Sequence, residues 1–385
     1  MQNNMLSNTL REIYQQPDMW LKELQLIINE QEKIKAFVSK YMLRDEYEII
    51  LTGAGTSAYI GEVLSMILPK NGFNNCKAVS TTDLITHPEV FLTTKKKVVL
   101  ISFARSGNSP ESIGTINIAN EICENIVHIF ITCNKEGELA KMANPKNTLL
   151  LLLPPETNDV SLAMTSSFST MMLACLLVLN IFKIEDQLPL VKSLSKNAHN
   201  ILDKYALKLK EIAERQFKRA IFLGSGELKG IAEECHLKLQ ELTDGDVICK
   251  FESFMGFRHG PKAVINERTI LIYLFSDDDY VFQYEKDLVE QINSNNQVVA
   301  QIAVSQSKVE FKDLKFDLEV VINNDFSTKS EYDSISYVLV GQLLGCYKSM
   351  ALGLNPDNPS ISGNISRVVE GVTIYKNEWQ KQNVL

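Results

Sequence analysis

Two residues late in the chain could move protons. Glu241 closes the helical run Lys238-Leu239-Gln240-Glu241, just ahead of Leu242-Thr243-Asp244-Gly245. The C-terminal end of a helix favours a cation, so helix stability gives no reason for a carboxylate there. A carboxylate base is what an aldose–ketose proton shuttle needs. The same glutamate would also suit a solvated face. His259 stands in Gly256-Phe257-Arg258-His259-Gly260-Pro261-Lys262, where Gly-Pro puts it in a loop, away from the packed face of an element. Imidazole suits proton transfer to and from a sugar ring oxygen near pH 7, and a structural histidine is the plain alternative. No His/Cys/Asp cluster has metal-ligand spacing, so neither metal nor other cofactor is expected.

Three further stretches could hold an anion. The first is Leu100 to Ser112, LISFARSGNSPES. An apolar strand breaks there into a turn containing Ser102, Arg105, Ser106, Gly107, Asn108 and Ser109, and Pro110 then opens a helix. Unpaired helix N–H groups, partial positive charge and serine hydroxyls make such a turn a phosphate site; the same residues also make an ordinary turn with a serine cap. The second is Gly53-Ala54-Gly55-Thr56-Ser57, another strand-to-helix turn. It is not GxGxxG, so no dinucleotide is expected. The third is Thr165-Ser166-Ser167, a phosphate-side helix start or a simple N-cap.

The elements that position these residues alternate in type. Strands are expected at Tyr47 to Leu51, Val98 to Ile101, Ile126 to Thr132 and Leu149 to Leu153, after an N-terminal helical segment over 5–43. A buried helix runs from Met171 to Phe182. A polar helical connector over Asp186 to Phe217 follows, and the pattern then restarts with strands at Ala220 to Leu223, Ile270 to Phe275, Val298 to Ile302 and Leu318 to Val321. Strands alternating with helices argue for parallel, doubly wound sheets in an α/β fold. LTGAGTSAYIGE (51–62) is echoed by LGSGELKGIAEE (223–234), an internal repeat of two like domains. The second copy carries Asp277, Asp278 and Asp279 where the first carries its serines, so the first is the expected anion binder. The expected division is a helical segment over 1–44, domains over 45–205 and 206–375, and a tail over 376–385.

Composition narrows the class. The net charge of −8 over 385 residues argues against nucleic acid as the main partner. The seven cysteines are odd in number, scattered and without a CxxC pair, which suits reduced, packed thiols in a cytoplasmic protein. The polar start MQNNMLSNTLREIYQQ lacks a signal-peptide core, and the longest apolar run is too short to span a bilayer, so no membrane association is expected.

Taken together, TGAGTS (52–57), SFARSGNSPES (102–112), AMTSS (163–167), LGSGELKG and LKLQELTDG (within 223–245) and FMGFRHGPK (254–262) resemble the sugar isomerase (SIS) domain family. The likeness is strongest to its galactosamine-6-phosphate deaminase/isomerase branch, also described as tagatose-6-phosphate ketose/aldose isomerase, and it covers nearly the whole chain. It implies two SIS domains, each a doubly wound parallel sheet in flavodoxin-like order, and a homodimer or dimer of dimers with an active site shared between domains and subunits. By position it implies Ser57, Ser106 and Ser109 as phosphate-side hydroxyls with Arg105 alongside. Gly55, Thr56, Thr165 and Ser166 fall on the sugar side. Glu241 falls on the base that shuttles a proton between C1 and C2, Lys238 on a nearby lysine, and His259 on a ring-opening histidine supplied by the neighbouring subunit.

Two positions depart from the family pattern. The phosphate loop SxSGxT falls on 104–109 with Ala104 in place of the first serine, and Glu370 stands where a related synthase has a near-terminal lysine, with Arg367 nearby. The expected activity is conversion of galactosamine 6-phosphate to tagatose 6-phosphate and ammonia. A phosphosugar isomerase without deamination, or a non-enzymatic phosphosugar sensor, would carry much of the same pattern.

Overall fold

A computed structural model of the chain describes residues 7–43, 46–294, 297–311, 314–323, 331–369 and 371–376. Val98, Val99, Leu100 and Ile101 are completely buried, as are Ile270, Leu271, Ile272 and Tyr273. Runs that are apolar at consecutive positions must be covered on both faces, which parallel strands flanked by helices achieve. The ten strands are β1 Tyr47–Thr52, β2 Cys76–Ala78, β3 Lys97–Ala104, β4 Asn125–Thr132, β5 Thr148–Leu152, β6 Arg219–Gly224, β7 Ile248–Glu252, β8 Thr269–Leu274, β9 Ala300–Ser305 and β10 Leu318–Val321. Every pairing is parallel. They form two sheets, β2-β1-β3-β4-β5 and, read from the matching edge, β7-β6-β8-β9-β10. The order is the same in both, which bears out the doubly wound α/β fold and the repeat.

The repeat extends to backbone angles. Gly55 caps the helix Thr56–Ile67 with φ +54° and ψ −129°, and Gly226 caps the helix Glu227–Leu242 with φ +58° and ψ −129°. A side chain is strained at either angle, so the turn selects glycine in both copies. These two helices pack against each other and join the domains.

Strands β2 and β7 are absent from the expected elements. They occupy the same place in each sheet, at an edge, and are mostly half-exposed, so they leave no apolar run to read. The expected connector is a 30-residue amphipathic helix, Ile184–Ala213, which passes through position 205 without a break. It buries Val191, Leu194, Ala198, Ile201, Leu202 and Leu209 against the N-terminal helix Asn8–Asn29 and the C-terminal helix Asp333–Ala351. The helix Ser166–Leu179 is buried at every position. Among the described residues no single helix is long and apolar enough to cross a membrane, and none of the seven cysteines is in a disulfide. Glu370 and most of the 376–385 tail lie outside the described residues.

One core residue sets an acid limit. His128 on β4 is buried, with Nε2 2.9 Å from Asn120 Oδ1 and Nδ1 unpartnered. Burial lowers its pKa from 6.5 to about 4. The unfolded chain therefore takes up a proton below about pH 6.5 that the folded chain refuses until about pH 4, and stability falls as pH drops through that window. The full effect is about 3 kcal/mol. Asn120 is exposed and can bond water instead. We expect His128→Leu to flatten the denaturation midpoint between pH 6.5 and 4, measured by urea unfolding; an unchanged acid slope would refute the assignment.

Candidate active site

The helix Glu227–Leu242 follows β6 and presents Glu234, Lys238 and Glu241 at i, i+4 and i+7, one face of a helix. Glu234 is fully buried and Lys238 is 1% exposed, while the Glu241 side chain keeps 16% exposure. Lys238 Nζ donates to Glu241 Oε1 and, at 2.9 Å, to Thr56 Oγ1 on the first helix of the other domain; Glu234 Oε1 lies 3.4 Å away. Burial would lower the lysine's pKa, but Glu234 and Glu241 outweigh it and hold the ammonium above its ordinary value. Burial pushes Glu234 up to about 8 despite Lys238, with Glu241 adding repulsion. One cation thus serves two carboxylates, the deeper of them fully buried. The shallower one, Glu241, faces a cleft.

That cleft has a volume of about 490 Å³ and draws on both domains. Gly55, Thr56 and Arg105 line it from the first, Lys238 and Glu241 from the second, and residues 363–369 close one side. Arg105 is buried, with NH1 donating to Ser161 O at 3.2 Å and Leu162 O at 3.0 Å, and NH2 to Arg367 O. Among the described residues it makes no ion pair with a carboxylate. Burial, then Arg367, hold its pKa below the ordinary value. A buried guanidinium whose hydrogen bonds go to carbonyls, with no ion pair to a carboxylate among the described residues, is a group that an anionic ligand at the cleft would stabilise.

The other expected residues lie at varying distances from this cleft. Ser109 caps the helix Pro110–Ile122, accepting from Ser112 N at 3.3 Å, and Ser106 Oγ accepts from Asn108 N at 3.3 Å. Ser57 is buried with its Oγ 3.9 Å from Met164 Sδ. None of these three hydroxyls lines the cleft, although Met164 does. Thr165 and Ser166 are buried around a carboxylate of the chain itself. Asp159 Oδ2 accepts from Thr165 N at 2.8 Å, Ser167 N at 2.9 Å and Ser167 Oγ at 2.6 Å, and Oδ1 from Ser166 Oγ at 2.5 Å. The N-terminus of the buried helix is therefore neutralised internally. His259 is exposed in the loop after the helix Phe254–Phe257 and does not line the cleft of its own chain.

Glu234, Asp159 and the 363–369 segment are the site residues that sequence reasoning missed. For Glu234 a signal existed, a carboxylate four residues ahead of Lys238 on one helix face. For Asp159 none did, since it acts through contacts distant in sequence, and for the C-terminal segment the only signal was Arg367 beside the position of a related synthase's near-terminal lysine. No group of three or more His, Cys, Asp or Glu among the described residues is arranged to hold a metal.

Two like α/β domains, with a cleft that places a paired lysine and carboxylates opposite a buried arginine, have the layout of a protein with two SIS domains. The SIS domain family matches residues 42–181 directly. A D-galactosamine-6-phosphate deaminase AgaS from Shewanella sp. (strain ANA-3) is 38% identical over 95% of this chain and 91% of its own, and one from Escherichia coli is 35% identical over 97% and 96%. The crystal structure of a tagatose-6-phosphate ketose/aldose isomerase from Escherichia coli superposes with a TM-score of 0.89 at 32% identity, covering 98% of this chain and 99% of that one. The chain belongs to the AgaS family of SIS-domain proteins.

Proposed function

We propose that the protein deaminates galactosamine 6-phosphate, with coupled isomerisation, to tagatose 6-phosphate and ammonia. The observation that carries this reading is Glu241, a partly exposed carboxylate bonded to a buried lysine at the wall of a cleft that also holds the guanidinium of Arg105. The names of its relatives point to the same reaction.

The phosphate docks at the Ser106–Ser109 turn and Ser57, drawn by the helix N-terminus and by Arg105. Gly55, Thr56, Thr165 and Ser166 form the sugar side. The substrate opens from its ring form with His259 moving the ring proton; since His259 is outside its own chain's cleft, it serves the site of a partner subunit in a homodimer. Glu241 then takes the C2 proton of the open-chain aldehyde, giving an enolamine with hydroxyl at C1 and amine at C2. Returned to C1, that proton yields a C2 iminium, which gives up an N–H proton to become the imine, balancing the proton the C1 oxygen took up from water. Water adds at C2, ammonia leaves, and the ketose remains; one water is consumed for each ammonia released. Lys238 orients Glu241 through its hydrogen bond to the carboxylate. The domains divide the work over about 45–205 for phosphate and 206–375 for proton transfer, in a cytoplasmic enzyme that uses no cofactor.

The test is ammonia release from galactosamine 6-phosphate, followed with a coupled glutamate dehydrogenase assay, with tagatose 6-phosphate identified as co-product. Glucosamine 6-phosphate is the stereochemical control. Release from the galacto sugar alone is the expected result. Conversion of a phosphosugar without any ammonia would replace the deaminase by a plain aldose–ketose isomerase.

A further inference from the structure

After the helix Asp333–Ala351 the chain crosses both domains, and residues 363–369 form one wall of the cleft. This segment has little core of its own: Ile361 is 82% exposed and Val369 53%. Its path is set by tethers. Asp357 accepts from Thr9 N at 2.8 Å and Asn8 N at 3.0 Å on the N-terminal helix. Arg367 donates to Asp159 O at 2.9 Å and Asn158 Oδ1 at 3.0 Å, and its own carbonyl is held by Arg105. Further on, Ile374 sits over Gly114 of the phosphate-turn helix, where an added Cβ would lie 3.0 Å from its Cγ1. All these hold the segment to the first domain and the N-terminal helix.

On the side of the second domain the tether is Asp244. Its Oδ2 accepts from Ile361 N at 3.1 Å, and its Oδ1 lies 3.5 Å from Ser362 Oγ. Asp244 is three residues past Glu241, and its own N–H donates to Glu241 O at 3.1 Å, so it belongs to the turn that ends the helix bearing the base. Its backbone is at φ +48°, the one non-glycine residue with positive φ among those described. Glycine occupies that region without steric cost, and a side chain there costs stability. The chain nevertheless has a carboxylate at 244, and the carboxylate contacts the segment that walls the cleft.

We propose that Asp244 is a positioning residue for the deamination reaction. Its carboxylate fixes residues 361–369 relative to Glu241 and so sets the width of the substrate cleft. The proposal rests on the reading of that cleft as a galactosamine 6-phosphate site, and it is separable from it because one readout below needs no turnover.

The test compares Asp244→Gly with Asp244→Asn in the full chain. Glycine removes the carboxylate and relieves the backbone; asparagine keeps an acceptor for Ile361 N and tolerates the left-handed region. In the glycine variant the thermal midpoint is expected to stay equal to or above wild type, while KM for galactosamine 6-phosphate rises roughly three- to tenfold and kcat changes less than about twofold. Hydrogen exchange over 361–369 should quicken. The asparagine variant should stay within about twofold of wild type in KM, with wild-type exchange. Wild-type exchange over 361–369 in Asp244→Gly, a wild-type KM there, or an asparagine variant as impaired as the glycine one overturns the proposal. If wild type releases no ammonia, the functional reading fails on its own, and the exchange comparison still decides the role of Asp244.

Discussion

Glu241→Gln should lower kcat for ammonia release from galactosamine 6-phosphate by about 10²–10⁴-fold, with KM changed no more than a few-fold. Glutamine has nearly the same volume, and its Oε1 can still accept from Lys238 Nζ, so the constellation with Thr56 survives. What is lost is the ability to take up the C2 proton. Exchange of C2 deuterium from labelled substrate should stop together with turnover, since both need the same abstraction. The measurement is paired ammonia and deuterium release, with circular dichroism to confirm the fold. A glutamine variant that still exchanges C2 deuterium at the wild-type rate would move the base to another group, and Glu234 would be the next to test.

Lys238→Met should be the most damaging single change at the site, because it strands Glu234. That carboxyl is fully buried, and Lys238, 3.4 Å from its Oε1, is the cation beside it. Removing one member of a buried ion pair costs about 3–5 kcal/mol. The loss should depend on pH with a definite sign. Glu234 has a folded pKa raised to about 8 against an ordinary 4.5. An acid raised in the fold costs nothing below its unfolded pKa, where both states hold the proton. Its cost grows as pH rises from about 4.5 to 8 and then levels off. Without the lysine the folded pKa rises further, so the variant's extra, pH-dependent loss should be absent near pH 4.5, appear only as pH passes about 8, and reach about 1 kcal/mol at pH 8.5, by guanidinium unfolding. Adding Glu234→Gln should restore much of the stability at pH 8.5 but not activity, since Glu241 would still lack its partner. Equal losses at both pH values would show that the lysine acts through packing alone.

The sequence by itself determined the α/β class and the repeat, and it singled out Glu241 as the candidate base. The strands it identified are the buried ones, such as Val98 to Ile101, whose consecutive apolar residues can only be covered from both sides. The matching turns at Gly55 and Gly226 were legible because a positive φ selects glycine wherever the turn recurs. Glu241 was legible because a carboxylate at a helix C-terminus opposes the helix dipole.

Tertiary structure decided the rest. The edge strands β2 and β7 are held by pairing with a neighbour rather than by their own side chains, so no local pattern marks them. Whether Arg105 is free or held depends on carbonyls more than fifty residues away at Ser161 and Leu162 and on a third at Arg367. That Asp159 accepts from Thr165 and Ser166 and fills the helix end they open is visible only once the chain is folded. The charge state of Glu234 depends on a dielectric that exists only after burial, and the wall of the cleft is a segment from the far end of the chain. Residue type and local spacing encode which groups can react. Which of them are desolvated, paired and brought to one cleft is set by long-range packing, and a one-dimensional pattern does not contain it.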